Sequence, residues 1–108
     1  MAKSNNNRKR ITKSGDLWTI ETIHGVRGET VEWLCDVDFT VRFPQKKNPL
    51  VEGHELSSNG SGKVTATVKK NAQVTPPGKG QRYFIFITKE GEEDVVLGKK
   101  SPPEMIVE

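Results

Sequence analysis

The β-branched residues constrain this chain more than any other feature. It holds 11 Val, 6 Ile and 9 Thr against 3 Ala and 5 Leu, and branched side chains suit a pleated strand better than a helix, where they lose rotamer freedom. They fall in short segments of alternating polarity divided by turn residues, and no segment longer than ten residues has a 3.6-residue apolar period. The pattern predicts an all-β fold with the spacing of an antiparallel sandwich or barrel. At 108 residues there is room for one domain. Leu, Ile, Val and Phe together number 26 of these, above the roughly 20% level below which a charged chain stays disordered. A small core is therefore expected to form without a metal or a crosslink.

The alternation predicts about seven strands. Residues 17–23 form the first, with Trp18 and Ile20 on one face and Glu21 on the other. Residues 24–29 read as a turn, followed by a strand over 30–37 in which Val31, Trp33, Cys35 and Val37 share a face. Phe39, Val41 and Phe43 alternate with Thr40 and Arg42 in a third strand, which Pro44 ends by removing a backbone donor. Residues 44–62 are a long polar loop, the length at which loops are usually functional or mobile, with Leu50, Val51 and Leu56 as pins to the core. A strand over 64–68 and a connection over 71–81 lead to residues 83–88, apolar on both faces like a central sandwich strand. Short strands near 94–97 and over 104–107 complete the set. The expected core is Trp18, Val31, Trp33, Cys35, Phe39, Val41, Phe43, Tyr83, Ile85 and Ile87.

Charge is distributed unevenly. The net charge is +3, yet Lys3, Arg8, Lys9, Arg10 and Lys13 stand in the first 13 residues with no acid among them, so the remainder carries 12 basic and 14 acidic residues, a balance of −2. Residues 1–14 read as a flexible basic arm and 15–108 as the sandwich domain, because the arm has too little apolar surface to offset the entropy of ordering. Such an arm either contacts nucleic acid or an acidic partner, or keeps the chain soluble. It lacks an aromatic residue for base stacking. No apolar run reaches the roughly 18 residues that cross a bilayer, and the first ten residues hold no signal-peptide core, so a cytoplasmic protein that meets no membrane is expected. The single cysteine, Cys35, excludes an internal disulfide and agrees with a reducing compartment. Asn59-Gly60-Ser61 matches a glycosylation sequon and reads as a turn.

Two segments are similar to the cupredoxin pattern. Gly28-Glu29-Thr30-Val31-Glu32-Trp33-Leu34 resembles the Gly-Asp-Thr-Val-x-Trp/Phe entry into a strand, and Phe39-Thr40-Val41-Arg42-Phe43-Pro44 resembles the following His-x-Val-x-Phe strand. Gly80-Gln81-Arg82-Tyr83-Phe84-Ile85-Phe86-Ile87 resembles the Gly-x-Tyr-x-Phe-x-Cys approach to a copper loop, and Met105-Ile106-Val107 the closing strand. The resemblance covers roughly residues 16–108 and implies a two-sheet Greek-key sandwich, cupredoxin-like or immunoglobulin-like. It does not carry the copper site. Blue copper needs two imidazoles, a thiolate and a weak axial thioether, whereas Phe39 stands at the first His position, Ile87 at the Cys position, and residues 89–100 contain neither His nor Met. No cofactor is expected.

Other constellations point to little chemistry. His24, His54, Cys35 and Met105 would make a copper set only if gathered, and their spacing argues instead for a turn residue, a loop residue, a small buried side chain and a packed thioether. Asp36 and Asp38, two apart, could serve as an acid and base pair or as a solvated link. Glu90, Glu92, Glu93 and Asp94 form an acidic turn without the ligand cadence of a calcium site. Asn59-Gly60-Ser61-Gly62-Lys63-Val64 lacks the Ser or Thr of a phosphate loop, and Gly78-Lys79-Gly80-Gln81-Arg82-Tyr83 lacks the third glycine of a dinucleotide fingerprint. Neither a catalytic nor a metal site is expected, so the chain reads as no enzyme. Three functions follow in order. The first is a protein-interaction or scaffold module that presents the long loop and its edge strands to another protein. The second is a nucleic-acid-associated protein using Lys3, Arg8, Lys9, Arg10 and Lys13, supported by Lys46, Lys47, Lys69 and Lys70 if these fall on one side. The third is a metal-binding sandwich protein.

Overall fold

Alternating β-branched and polar residues give strands here, and the computed structural model describes residues 7–89, 91, 94–98 and 102–108. The strands are β1 (Arg8–Arg10), β2 (Thr12–Ser14), β3 (Leu17–Thr19), β4 (Ile23–Gly25), β5 (Thr30–Leu34) and β6 (Phe39–Arg42). They continue with β7 (Glu55–Ser57), β8 (Lys63–Thr67), β9 (Gln81–Arg82), β10 (Phe84–Ile87), β11 (Asp94–Val95) and β12 (Glu104–Val107), with a 3-10 turn at Gln45–Lys47. Among the described residues there is no α-helix, and none that could cross a membrane. The fold is all-β. Four sheets run in the orders β1-β5-β8, β11-β10-β6-β7, β4-β12-β9 and β2-β3. The pairs β1 with β5 and β4 with β12 are parallel, and the other strand pairs are antiparallel. One contiguous buried cluster joins the sheets, an arrangement compatible with a β-sandwich.

The expectation of about seven strands is corrected to twelve among the described residues. The reason is that the chain turns corners by switching partners in mid-run. Residues 17–23 pair first with β2, then the Ile20 amide donates to the Leu97 carbonyl at 3.0 Å, and by Ile23 the chain lies against β12. Tyr83 is a second corner: β9 before it pairs with β12, β10 after it pairs with β6, and its own amide donates to the Pro103 carbonyl at 3.1 Å. The turn expected over 24–29 gives up its first two residues to β4. Gly25 permits this, because a Cβ there would lie 2.9 Å from both Met105 Cε and Val68 Cγ2.

The boundary at residue 14 is also corrected. Residues 1–6, Lys3 among them, lie outside the described residues, but Arg8–Arg10 adds a parallel strand to β5 and Thr12–Ser14 pairs with β3. Between them Ile11 is 2% exposed and its amide donates to the Leu34 carbonyl at 2.7 Å. A sheet edge supplies backbone partners, so residues with few apolar side chains are ordered by the ladder rather than by their own burial. The loop over 44–62 likewise contains β7, which pairs with β6. Leu50 is buried beside Val68 and Leu56 packs on the core, whereas Val51 is 60% exposed and is held through its backbone only.

The core contains Trp18, Val31, Trp33, Cys35, Phe39, Val41, Phe43, Tyr83, Ile85 and Ile87. Its centre is three rings. Phe43 and Tyr83 stack with centroids 4.6 Å apart, and Trp33 stands edge-on to both at 6.3 and 5.8 Å. The Trp33 indole donates from Nε1 to the Tyr83 hydroxyl at 2.9 Å, so the polar group that Trp33 brings into the core is satisfied, whereas the buried Trp18 Nε1 has no hydrogen-bond partner among the described residues.

Candidate interaction surface

Strand β10 carries apolar residues on both faces, and only one face is covered. Tyr83, Ile85 and Ile87 are buried, whereas Phe84 is 43% exposed and Phe86 half-buried. The expectation of a strand covered on both sides is therefore corrected, since among the described residues no second layer covers the outer face of β10. Phe84 and Phe86, two residues apart, stack on that face with centroids 6.2 Å apart. β6 and β11 set their neighbours: Arg42 lies opposite Phe84 and Val95 opposite Phe86. Val95 is 44% exposed. With Phe43 and Pro44 these residues line a shallow, mainly apolar concavity of about 430 Å³. Arg42 supplies its polar rim and is itself paired with Glu55 at 3.6 Å. Exposed apolar residues that stand singly are ordinary, but contiguous ones mark contact surfaces.

Arg8, Lys9, Arg10 and Lys13 are engaged within the fold. Arg8 lies opposite Glu32 in the β1–β5 ladder and bonds it at 2.9 Å, Lys9 meets Glu21 at 3.5 Å, and Arg10 meets Asp36 at 3.1 Å. Lys13 lies over the Trp18 ring, 5.4 Å from its centroid. These exposed pairs contribute little stability, but they neutralise the field that a nucleic-acid contact would use. Of the four supporting lysines, Lys46, Lys47 and Lys69 line one cleft and Lys70 does not.

The candidates for chemistry are dispersed. Among the described residues no three His, Cys, Asp or Glu side chains converge on a point. His24 lies on β4 beside Glu108, its Nδ1 3.7 Å from the carboxylate, and His54 stands in the loop before β7. Burial pushes the Cys35 thiol above its usual pKa against the opposing pull of the Val37 and Asp36 amides, which makes it a poor thiolate. Met105 is wholly buried. Phe39 and Ile87, both buried, are cross-strand partners in β6 and β10. Asp36 and Asp38 part company. Asp36 pairs with Arg10, while Asp38 accepts from the Ser58 hydroxyl at 3.1 Å and the Gly60 amide at 2.7 Å. Asp38 thus fixes the turn at Asn59 and Gly60, where φ is 49° and 83°. The Gly-Lys segment after it enters β8, and the segment over 78–83 enters β9. Glu90, Glu92 and Glu93 of the acidic turn lie outside the described residues.

Sequence reasoning missed the outward direction of Phe84 and Phe86, because the run of four apolar residues over 84–87 does not distinguish a covered face from an open one. No protein-family model matches the sequence, and comparisons with curated proteins and with solved structures give no match.

Proposed function

We propose that this chain is a non-catalytic interaction or scaffold module, a copper-free cupredoxin-like Greek-key sandwich that binds another protein through the outer face of β6, β10 and β11. The observation that carries the reading is the stacked pair Phe84 and Phe86 beside Val95, a contiguous apolar surface standing in water. Aromatic residues on a rigid sheet suit a contact because they bury much area with few rotamers to order. The cupredoxin-like part rests on the motif resemblance together with the pairing of Phe39 with Ile87, the two positions that would otherwise hold imidazole and thiolate. An immunoglobulin-like sandwich is the alternative topology. Ion pairing of Arg8, Lys9 and Arg10 gives the protein partner precedence over nucleic acid. A cytoplasmic location accompanies this reading.

The test compares wild type with Phe84→Asp/Val95→Asp as baits in a cell extract, identifies the captured proteins by mass and rebuilds the complex from purified components. The expected result is one protein that binds wild type saturably and binds the variant at least about 30-fold more weakly, the loss of one hot-spot residue, while the thermal midpoint is unchanged. Equal binding by both baits would remove this face from the reading.

A further inference from the structure

The second concave feature is the cleft between the Gln45–Lys47 turn and residues 69–76, about 400 Å³ in volume. That is within the range of small-molecule sites, roughly 300 to 1,000 Å³. Lys46, Lys47 and Lys69 line it, and no acidic side chain does. Arg8, Lys9, Arg10, Arg42 and Arg82 are each paired with a carboxylate. The three cleft lysines have no such partner among the described residues. Three like charges around one concavity give it a positive field that attracts an anion.

The walls are pre-set. The Lys47 amide donates to the Pro44 carbonyl at 2.9 Å and closes the 3-10 turn, and the Lys69 amide donates to the Pro49 carbonyl at 2.8 Å, tying one wall to the other. The Asn48 side chain both donates to and accepts from the Leu50 backbone, at 3.0 and 2.9 Å. The Ala72 amide closes the other wall on the Lys69 carbonyl at 3.1 Å. A ligand therefore orders lysine side chains and little backbone.

Residue type selects the ligand. Arginine forks match planar carboxylates, and none lines the cleft, whereas ammonium groups act as point charges and suit clustered phosphate oxygens. Three of them balance a short run of phosphates. A cleft walled on two sides accepts a compact anion more readily than the regular outer surface of a duplex. We propose that this cleft is a binding site for a small oligophosphate, free or as the phosphate chain of a nucleotide, held by Lys46, Lys47 and Lys69.

The test is titration of the full chain with tripolyphosphate at low salt, followed by amide resonances. Saturable shifts confined to residues 46–49, 69–76 and 80–81 are expected, with a Kd below about 1 mM that rises with salt. Each of Lys46→Gln, Lys47→Gln and Lys69→Gln should weaken binding about fivefold, and the triple variant should abolish it with folding unchanged. The control Lys63→Gln/Lys79→Gln, outside the cleft, should bind as wild type. A nucleoside triphosphate that matches tripolyphosphate assigns the affinity to the phosphates alone, and one that binds more tightly adds a contact to the nucleoside; both outcomes support the site. Shifts spread over all lysines, equal loss in the control, no saturation, or binding of duplex DNA through these lysines without binding of tripolyphosphate would each overturn it.

Discussion

Trp33 and Tyr83 depend on each other, because the buried Trp33 indole N–H donates to the Tyr83 hydroxyl. Trp33 is also the largest wholly buried side chain. Trp33→Ala should cost about 3 to 5 kcal/mol, the range for deleting a packed aromatic. A denaturant-midpoint shift equivalent to less than roughly 1 kcal/mol would contradict its place in the core. Tyr83→Phe keeps the ring stack and strands the indole N–H, at a cost of about 1 to 3 kcal/mol near neutrality. Burial holds the Tyr83 phenol well above its usual value of 10, against a smaller downward pull from the Trp33 hydrogen bond. A raised pKa gives a contribution that is complete below the unfolded value and lost as pH rises toward the folded one. Wild type should accordingly lose stability above about pH 10, by up to about 1.4 kcal/mol per pH unit from this group. Tyr83→Phe lacks that component, so its deficit should narrow between about pH 9 and pH 11 in urea unfolding. A constant deficit would contradict the assignment.

At the scale of elements, legibility followed from how each strand is held. The alternation of Val31, Trp33 and Cys35 marks a strand whose burial comes from its own side chains, and all three are buried. β1 is held by a parallel ladder and by acids distant in sequence, Glu32, Asp36 and Glu21, none of which a local pattern reveals. Ile11 was its one apolar sign. Ile11→Ala should cost about 2 to 5 kcal/mol in thermal or urea unfolding, and deletion of residues 1–13, which removes β1, should cost at least as much. A loss below about 0.5 kcal/mol would restore the detachable arm. β4 was hidden by His24 and Gly25, which read as a turn, although Gly25 is needed where Met105 and Val68 close over the backbone. β10 exposes the limit of periodicity in the candidate site. A run of four apolar residues reads the same whether a second layer covers it or solvent does, so Phe84 and Phe86 were placed on a strand but not at a surface. The cleft lysines were recognisable as cations, and their convergence depends on the Leu50–Val68 bridge, a contact across the long loop.

Across the whole molecule, the +3 net charge says less than its placement. Arg8, Lys9 and Arg10 are matched by carboxylates, the cleft lysines are not, and the apolar face adjoins the cleft. Pro44 borders the face and Lys46 and Lys47 the cleft, so the Gln45–Lys47 turn separates the two surfaces. An anion in the cleft would sit one turn from a docked protein, and the two surfaces can be tested apart because they share no lining residue. The central claim is that β10 offers its outer face to a protein. The measurement that tests it most directly is site-specific photo-crosslinking in cells, with the reactive group placed at Phe84 in one protein and at Thr65, an exposed position on β8, in another. The account predicts one discrete adduct from position 84, identified by mass, that is absent from position 65 and is lost when Val95→Asp is added. Equal adducts from both positions, or none from 84 in cells that express the chain at its native level, would contradict it.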